Sequence, residues 1–305
     1  RIFILLFSLI FLHGKAQQNE IDSLKSVIAA QMDDTVKVKN LNRLSHLMTS
    51  TGDFRSMEFA QHAKDLSEKL EYKPGLAMSC RSVGWIDYMQ GNYEEAMKNY
   101  YDAMKINDEL DNKSELATDY IGIGSIYLAM SNNPQAMSSF LKAEEIINTL
   151  SDKHNLRIVY YNLSSIYLAQ DNFDKAMEYA VKAKHEAENV NDKRGEASAY
   201  TNIGAIFQYR SQNEAALNAF NTALSIYDTL GDKEGMAREY ISIGNIYLKQ
   251  NNIAEALKWD QKAGDLATEL DDKTLMRDVY QGLSTAYRQM GKYEDALNYY
   301  MLTQH

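Results

Sequence analysis

A single cysteine, Cys80, stands among 305 residues, which excludes an internal disulfide framework and any multi-cysteine metal site. Proline is nearly as scarce, with two residues, Pro74 and Pro134. With few helix breakers and abundant Ala, Leu, Lys and Glu, the chain reads as mostly helical. Basic tracts are missing too. The 32 Lys and Arg against 42 Asp and Glu leave a net charge of −10, which opposes a nucleic-acid partner, because phosphate binding needs a cationic face. The six histidines, at 13, 46, 62, 154, 185 and 305, never fall in a metal-ligand spacing; His46 and His62 could at most face each other within one hairpin. Glu94-Glu95 and Asp271-Asp272 read as turns or helix starts, and Gly122-x-Gly124 lies inside a helical stripe with no preceding strand. No catalytic residue, cofactor or metal is expected.

Long apolar runs are also lacking. The longest, from Ile2 to Leu12, has eleven residues, short of the roughly 20 that span a bilayer. Arg1 precedes it, and Gly14 and Ala16 follow as small residues. This pattern predicts a secretory signal over 1–16, cleaved after Ala16. The competing readings are a retained signal anchor and a buried apolar helix. The first residue is not Met, and the expectation is that the natural start lies upstream.

What is present is a period. Lysine recurs at Lys73, Lys113, Lys153, Lys193, Lys233 and Lys273, forty residues apart. In step with it run a small column (Gly84, Gly124, Ser164, Gly204, Gly244, Ser284), an alanine column (Ala96, Ala136, Ala176, Ala216, Ala256, Ala296) and a tyrosine column (Tyr120, Tyr160, Tyr200, Tyr240, Tyr280). Cys80 takes the tyrosine place one unit earlier, where burial would leave it inert. Within a unit, Tyr240, Ile243, Tyr247 and Leu248 form one helical stripe, and Ile253, Ala256, Leu257, Ala263 and Leu266 form another. A polar turn such as KQNN separates them, so each unit is a helical hairpin. Small residues at the seam let the two backbones approach. Asn112, Asp152, Asp192, Asp232 and Asp272 each precede a helix, where a side-chain oxygen can cap backbone N–H groups. Gly195 and Gly235 are expected to ease the bend.

These landmarks resemble the tetratricopeptide repeat. In one unit the matching residues are Tyr200, Ile203-Gly204, Phe207, Ala216, Phe220 and Ala223. The units are longer than the family's usual length of about 34 residues, and the closing proline is absent. The resemblance implies an all-α fold, a right-handed superhelical solenoid of antiparallel helix pairs. Seven repeats are expected over 35–74, 75–114, 115–154, 155–194, 195–234, 235–274 and an incomplete 275–305. Ahead of them, at 17–34, Ile21, Leu24 and Ile28 share a face and predict a helix that covers the open end of the array.

In the family, the first helices of the pairs line a concave groove that takes a protein or peptide. Positions beside the small column then make Arg81, Trp85, Tyr88, Tyr161, Tyr209, Arg238, Asn245, Lys249, Gln281 and Arg288 the candidate binding residues. Exposed aromatics among Arg are favoured at interfaces, although such residues also serve as rim packing. Asn245 and Lys249 are only a fragment of the paired Lys/Asn–Asn–Lys/Arg set with which some members grip a carboxylate.

The order of leader, Ile-Asp-Ser-Leu helix and forty-residue repeats with Asp-Lys joints resembles the exported sensor half of bacterial signalling proteins. That likeness implies a membrane anchor and an output domain downstream of His305: a histidine kinase, a nucleotide cyclase or a DNA-binding domain. Three readings remain open: an exported interaction scaffold, the non-catalytic part of a sensor kinase or cyclase, and a cytosolic peptide-responsive regulator.

Overall fold

The computed structural model describes residues 18–53 and 55–304; the predicted signal over 1–16 lies outside them. The described residues are helical with short turns and no strand. The chain divides at Lys153/His154 into two compact units.

In the first unit, α1 (18–30) is followed by α2 (Thr35–Ser50), α3 (Ser56–Lys69), α4 (Lys73–Met89), α5 (Tyr93–Glu109), α6 (Lys113–Ala129) and α7 (Asn133–Asn148). Ile21, Leu24 and Ile28 of α1 are buried against Val38, Leu41, Leu44 and Met48 of α2 and Leu66 of α3. Spaced three and four apart, they put one apolar stripe onto the pair beneath. Arg43 of α2 holds Glu20 of α1 at 2.5 Å.

The second unit runs α8 (Leu156–Ala169), α9 (Phe173–Asn189), α10 (Lys193–Tyr209), α11 (Asn213–Leu230), α12 (Lys233–Lys249), α13 (Ile253–Leu270), α14 (Lys273–Gln289) and α15 (Tyr293–Leu302). In both units an even-numbered helix, from α2 on, packs antiparallel on the odd-numbered helix that follows.

The small column is where the two helices of a pair touch. A Cβ at Gly204 would lie 2.6 Å from the Phe220 ring, and one at Gly124 would lie 2.9 Å from Phe140. Where serine replaces glycine, its hydroxyl makes a bond instead. Ser164 Oγ donates to the Ala176 carbonyl at 2.9 Å, and Ser284 Oγ to that of Ala296 at 2.8 Å.

The joints carry the predicted caps, with two corrections. Asp192, Asp232 and Asp272 accept from the N–H groups of Gly195, Gly235 and Leu275, and Asn112 accepts from Glu115. Asp152 does not stand at the N-cap position, because α8 begins later, at Leu156, after Asn155. There the Arg157 guanidinium takes up the His154 carbonyl and also reaches Asp192 at 2.5 Å. Gly195 and Gly235, expected to ease the bend, lie within the helices instead. They sit in the first helical turn, where a Cβ would come within 2.6 Å of the Asp192 carboxylate and 2.5 Å of the Tyr227 ring. The left-handed residues lie at the helix ends: Gly52, Gly91, Gly231 and Gly291, and the non-glycine Glu71, Asp111, Ser131, Asp171, Asn191, Ser211, Asn251 and Asp271. Polar side chains tolerate that conformation better than branched ones.

Candidate functional site

The first helices of successive pairs lie side by side: α2, α4 and α6 in one unit, α8, α10, α12 and α14 in the other. Side chains on this shared face therefore come from different repeats.

In the first unit the face is hollowed into a pocket of about 680 Å³, within the ~300–1,000 Å³ range of ligand sites. Lys39, Asn42, Arg43, Ser45, His46 and Thr49 of α2 form one wall; Met78, Arg81, Ser82 and Trp85 of α4, with Tyr100 and Thr118, form the rest. Of the predicted residues, Arg81 and Trp85 meet here. The indole, 40% exposed, stacks on the third, Tyr88, at 5.4 Å between ring centres. Asn42 is buried and locked between α2 and α4, donating to Ser79 Oγ at 2.9 Å and accepting from Ser82 at 3.0 Å. Ser45 is buried, and its hydroxyl has no hydrogen-bond partner.

Arg81 is anchored from behind. Its guanidinium reaches Asp119 Oδ1 at 3.2 Å and also pairs with Glu115, while Asn107 Nδ2 donates to Asp119 Oδ2 at 2.6 Å. Burial pushes the Asp119 carboxyl up to about 6, against the pull of Arg81 and Asn107. Cys80, which takes the tyrosine place in the repeat of Arg81, is buried, and burial raises its thiol pKa, which suits packing rather than reaction.

The face of the second unit is built differently. Tyr161 of α8 is partly buried, and the Asn202 side chain donates to its carbonyl at 3.1 Å and to Ser165 Oγ at 3.1 Å. Next to this group, Thr201 Oγ1 donates to Glu239 Oε1 at 2.5 Å, and Tyr227 shares a hydrogen bond with Ser198 at 3.1 Å. Glu239 is buried, its Oε2 has no partner, and burial raises its carboxyl to about 7. Burial raises the Tyr161 hydroxyl pKa, and Arg238 is paired on the surface with Glu234 at 2.9 Å. Tyr209, 59% exposed, lies under the Lys249 ammonium, 5.8 Å from the ring centre, and stacks on Phe173. Asn245, Gln281 and Arg288 are exposed and join none of these groups.

Of the ten predicted residues, five fall in two places, Arg81 with Trp85 and Tyr88, and Tyr209 with Lys249; Tyr161, Arg238, Asn245, Gln281 and Arg288 join neither. Sequence reasoning missed the α2 wall, because the first repeat departs from the columns. It also missed the buried acids Asp119, Glu239 and Asp260. Those left a signal, each being a carboxylate in a column otherwise small or apolar; Val159 and Val279 share the column of Asp119 and Glu239. Two other hollows, of about 630 and 470 Å³, lie at joints and are lined by the capping residues Asp272 and Asp232. Among the described residues, no group of three His, Cys, Asp or Glu could hold a metal ion, and no helix is long and apolar enough to cross a membrane.

Residues 235–302 and 159–184 match tetratricopeptide-repeat family profiles. No curated protein matches the chain in sequence. Among solved structures, the apo form of the quorum sensor NprR from B. thuringiensis superposes with a TM-score of 0.76 at 14% identity, over 99% of this chain and 86% of its own. The apo form of RapI gives 0.69 at 16% identity, over 88% and 98%. A Rap protein complexed with competence and sporulation factor gives 0.58 at 15% identity, over 95% and 97%. At such identities the likeness is one of fold.

Proposed function

We propose that this chain, a member of the tetratricopeptide-repeat family, is a non-catalytic scaffold that binds a peptide or a segment of another protein along the face of its first helices. One observation carries the proposal. The α2–α4–α6 pocket brings together an exposed indole and an anchored guanidinium of α4 with polar groups of α2. An accessible Trp beside an Arg over a packed base is what binding hot spots are made of. The similarity in fold to a quorum sensor and to a Rap protein complexed with a factor agrees with it.

In this reading the array is exported and acts as the sensing part of a signalling protein, with occupancy passed on as a small shear between packed helices. The segment order in the sequence supports it: the leader-like residues 1–16, then α1, then joints of constant spacing. Within the second unit, Tyr209 with Lys249 would offer a contact of its own, and Tyr161, Arg238, Asn245, Gln281 and Arg288 are further candidates there. Selection of binding peptides from a random library, mapped by cross-linking, tests the binding reading. Cross-links confined to the second helices, α3, α5 and α11, would refute it. An alkaline phosphatase fusion to residues 1–20 tests export separately; an inactive fusion would favour the cytosolic peptide-responsive regulator.

A further inference from the structure

With one cysteine, the chain cannot close a disulfide on itself. Tyrosine, in contrast, is plentiful at 21 residues, and one pair of phenols meets across the boundary between two repeats. Tyr101 stands on α5 and Tyr127 on α6, 26 residues apart in the chain, and their hydroxyls share a hydrogen bond at 3.2 Å. Tyr101 is 41% exposed, so a small oxidant can reach it. The hydrogen bond to Tyr127 lifts the Tyr101 hydroxyl to about 12, so this phenol keeps its proton at neutral pH. The repeat itself does not demand the pair. An aromatic stands at the place of Tyr127 in every later repeat, as Tyr167, Phe207, Tyr247 and Tyr287. The place of Tyr101, however, is taken by Leu141, Val181, Asn221, Gln261 and Met301. Other tyrosines that touch present their faces: Tyr167 and Tyr179 stack at 5.5 Å between ring centres, and Tyr287 and Tyr299 at 5.4 Å.

We propose that Tyr101 and Tyr127 form an oxidative modification site, a dityrosine cross-link that fastens α5 to the first helix of the following repeat. The co-reactant is a one-electron oxidant of the peroxidase class, with hydrogen peroxide as its source of oxidising equivalents. Each phenol gives up one electron and one proton and becomes a phenoxyl radical. The two radicals combine at the ring carbons beside the hydroxyls, forming one C–C bond. Each of those carbons then loses its hydrogen as a proton while its oxygen takes one up, which restores both phenols. Overall, two electrons and two protons leave the pair and convert one hydrogen peroxide into two waters. The product is a biphenyl whose hydroxyls lie side by side. Tyr101 and Tyr127 already hold their hydroxyls in that relation, whereas a stacked pair would have to swing edge to edge. Such proximity makes the coupling effectively unimolecular. Because α5 packs on α6, the bond would oppose sliding of one repeat past the next. This chemistry is independent of peptide binding.

The test uses the full chain, dilute enough to keep coupling within one molecule, with photo-oxidised ruthenium tris(bipyridyl) and persulfate as the one-electron oxidant. Monomer isolated after brief illumination should show dityrosine fluorescence. Peptide mapping by mass spectrometry should find Tyr101 and Tyr127 joined with the loss of two hydrogens. Tyr101→Phe and Tyr127→Phe should each lower the monomer's dityrosine at least about fivefold, since the remaining phenol has lost its neighbour. Tyr293→Phe removes a more exposed phenol, at 72%, and should leave the yield unchanged. Far-ultraviolet circular dichroism checks that each variant is folded. In denaturing urea the Tyr101–Tyr127 link should lose its preference over other pairs. Dityrosine distributed by exposure, a yield unmoved by either of the paired Phe substitutions, or a preference that survives in urea overturns the site. Fluorescence confined to covalent dimers would mean that exposed rings of separate molecules couple first, and overturns it as well.

Discussion

Asp119 of α6 and Glu239 of α12 hold the same place in their repeats, yet their surroundings differ. Each is buried, and each is approached from the preceding first helix by the residue thirty-eight positions earlier. For Asp119 that residue is Arg81, and Asn107 completes the shell, so the acid becomes a brace for a groove cation. For Glu239 it is Thr201, which supplies one hydroxyl and no charge, leaving Oε2 unpartnered. One unit uses its buried acid to hold a cation at the shared face of its first helices; the other carries an acid whose pKa burial raises to about 7. The second unit repeats the theme at Asp260, which stands where Tyr100, Phe140 and Phe220 fill the equivalent seam. Its carboxylate is pressed between Gly244 and Gly282, with Oδ2 unpartnered.

The largest effect should come from removing the brace. Arg81→Met leaves Asp119 buried without its counter-charge and is expected to cost about 3–5 kcal/mol in urea unfolding near neutral pH. Adding Asp119→Asn should recover part of that loss. Thr201→Val, the matching change beside Glu239, should cost only about 1 kcal/mol. Equal costs would mean that the two acids are equivalent after all.

The acids also set a pH dependence. Asp260 and Glu239 sit near 7 and Asp119 near 6, all above ordinary carboxylates and all chiefly through burial. A folded-state pKa above the unfolded one means that the native state holds the proton longer. This stabilisation is complete below about pH 4 and is lost as pH rises through 6 to 7. For these groups, thermal midpoints should fall between pH 5 and 8, read against the other carboxylates by substitution. Asp260→Asn should flatten the curve and gain about 1–3 kcal/mol at the alkaline end. A steeper curve in that variant would show that the acid is paired when charged.

The apolar seam is the control for the acidic one. Gly204→Leu drives a side chain into Phe220 and should lower stability by about 1–3 kcal/mol, measured by thermal melting. The smallest effect lies at a turn. Asn172 and Asn252 cap their helices through Lys175 and Glu255, whereas Gln212 at the same place makes no cap bond. Gln212→Asn is therefore expected to raise stability by about 0.5–1 kcal/mol, and no gain would mean that the turn geometry differs.

The helix pairs were legible because their causes are local. Glycine, alanine and aromatic columns repeat in step with the contacts they make, as Gly204 against Phe220 and Ser164 against Ala176 show. The joints were legible for the same reason wherever the cap and its N–H lie three residues apart. At 152–157 local spacing failed, because Arg157 satisfies backbone and carboxylate groups that a regular first turn would have used. Of the candidate face, Arg81 and Trp85 could be named from their columns. Lys39, Arg43, Ser45 and His46 could not, since the first repeat has lost the columns that would have placed them.

From its residues alone, this chain is bound to form helical hairpins of constant length, since forty-residue spacing of small and apolar side chains leaves them no other way to bury their stripes. Which acid receives a guanidinium and which a hydroxyl, and that a cationic hollow opens beside Trp85, followed from stacking. Those contacts join side chains from successive repeats, some thirty-five to forty residues apart in the chain, and no local pattern encodes which of them will meet.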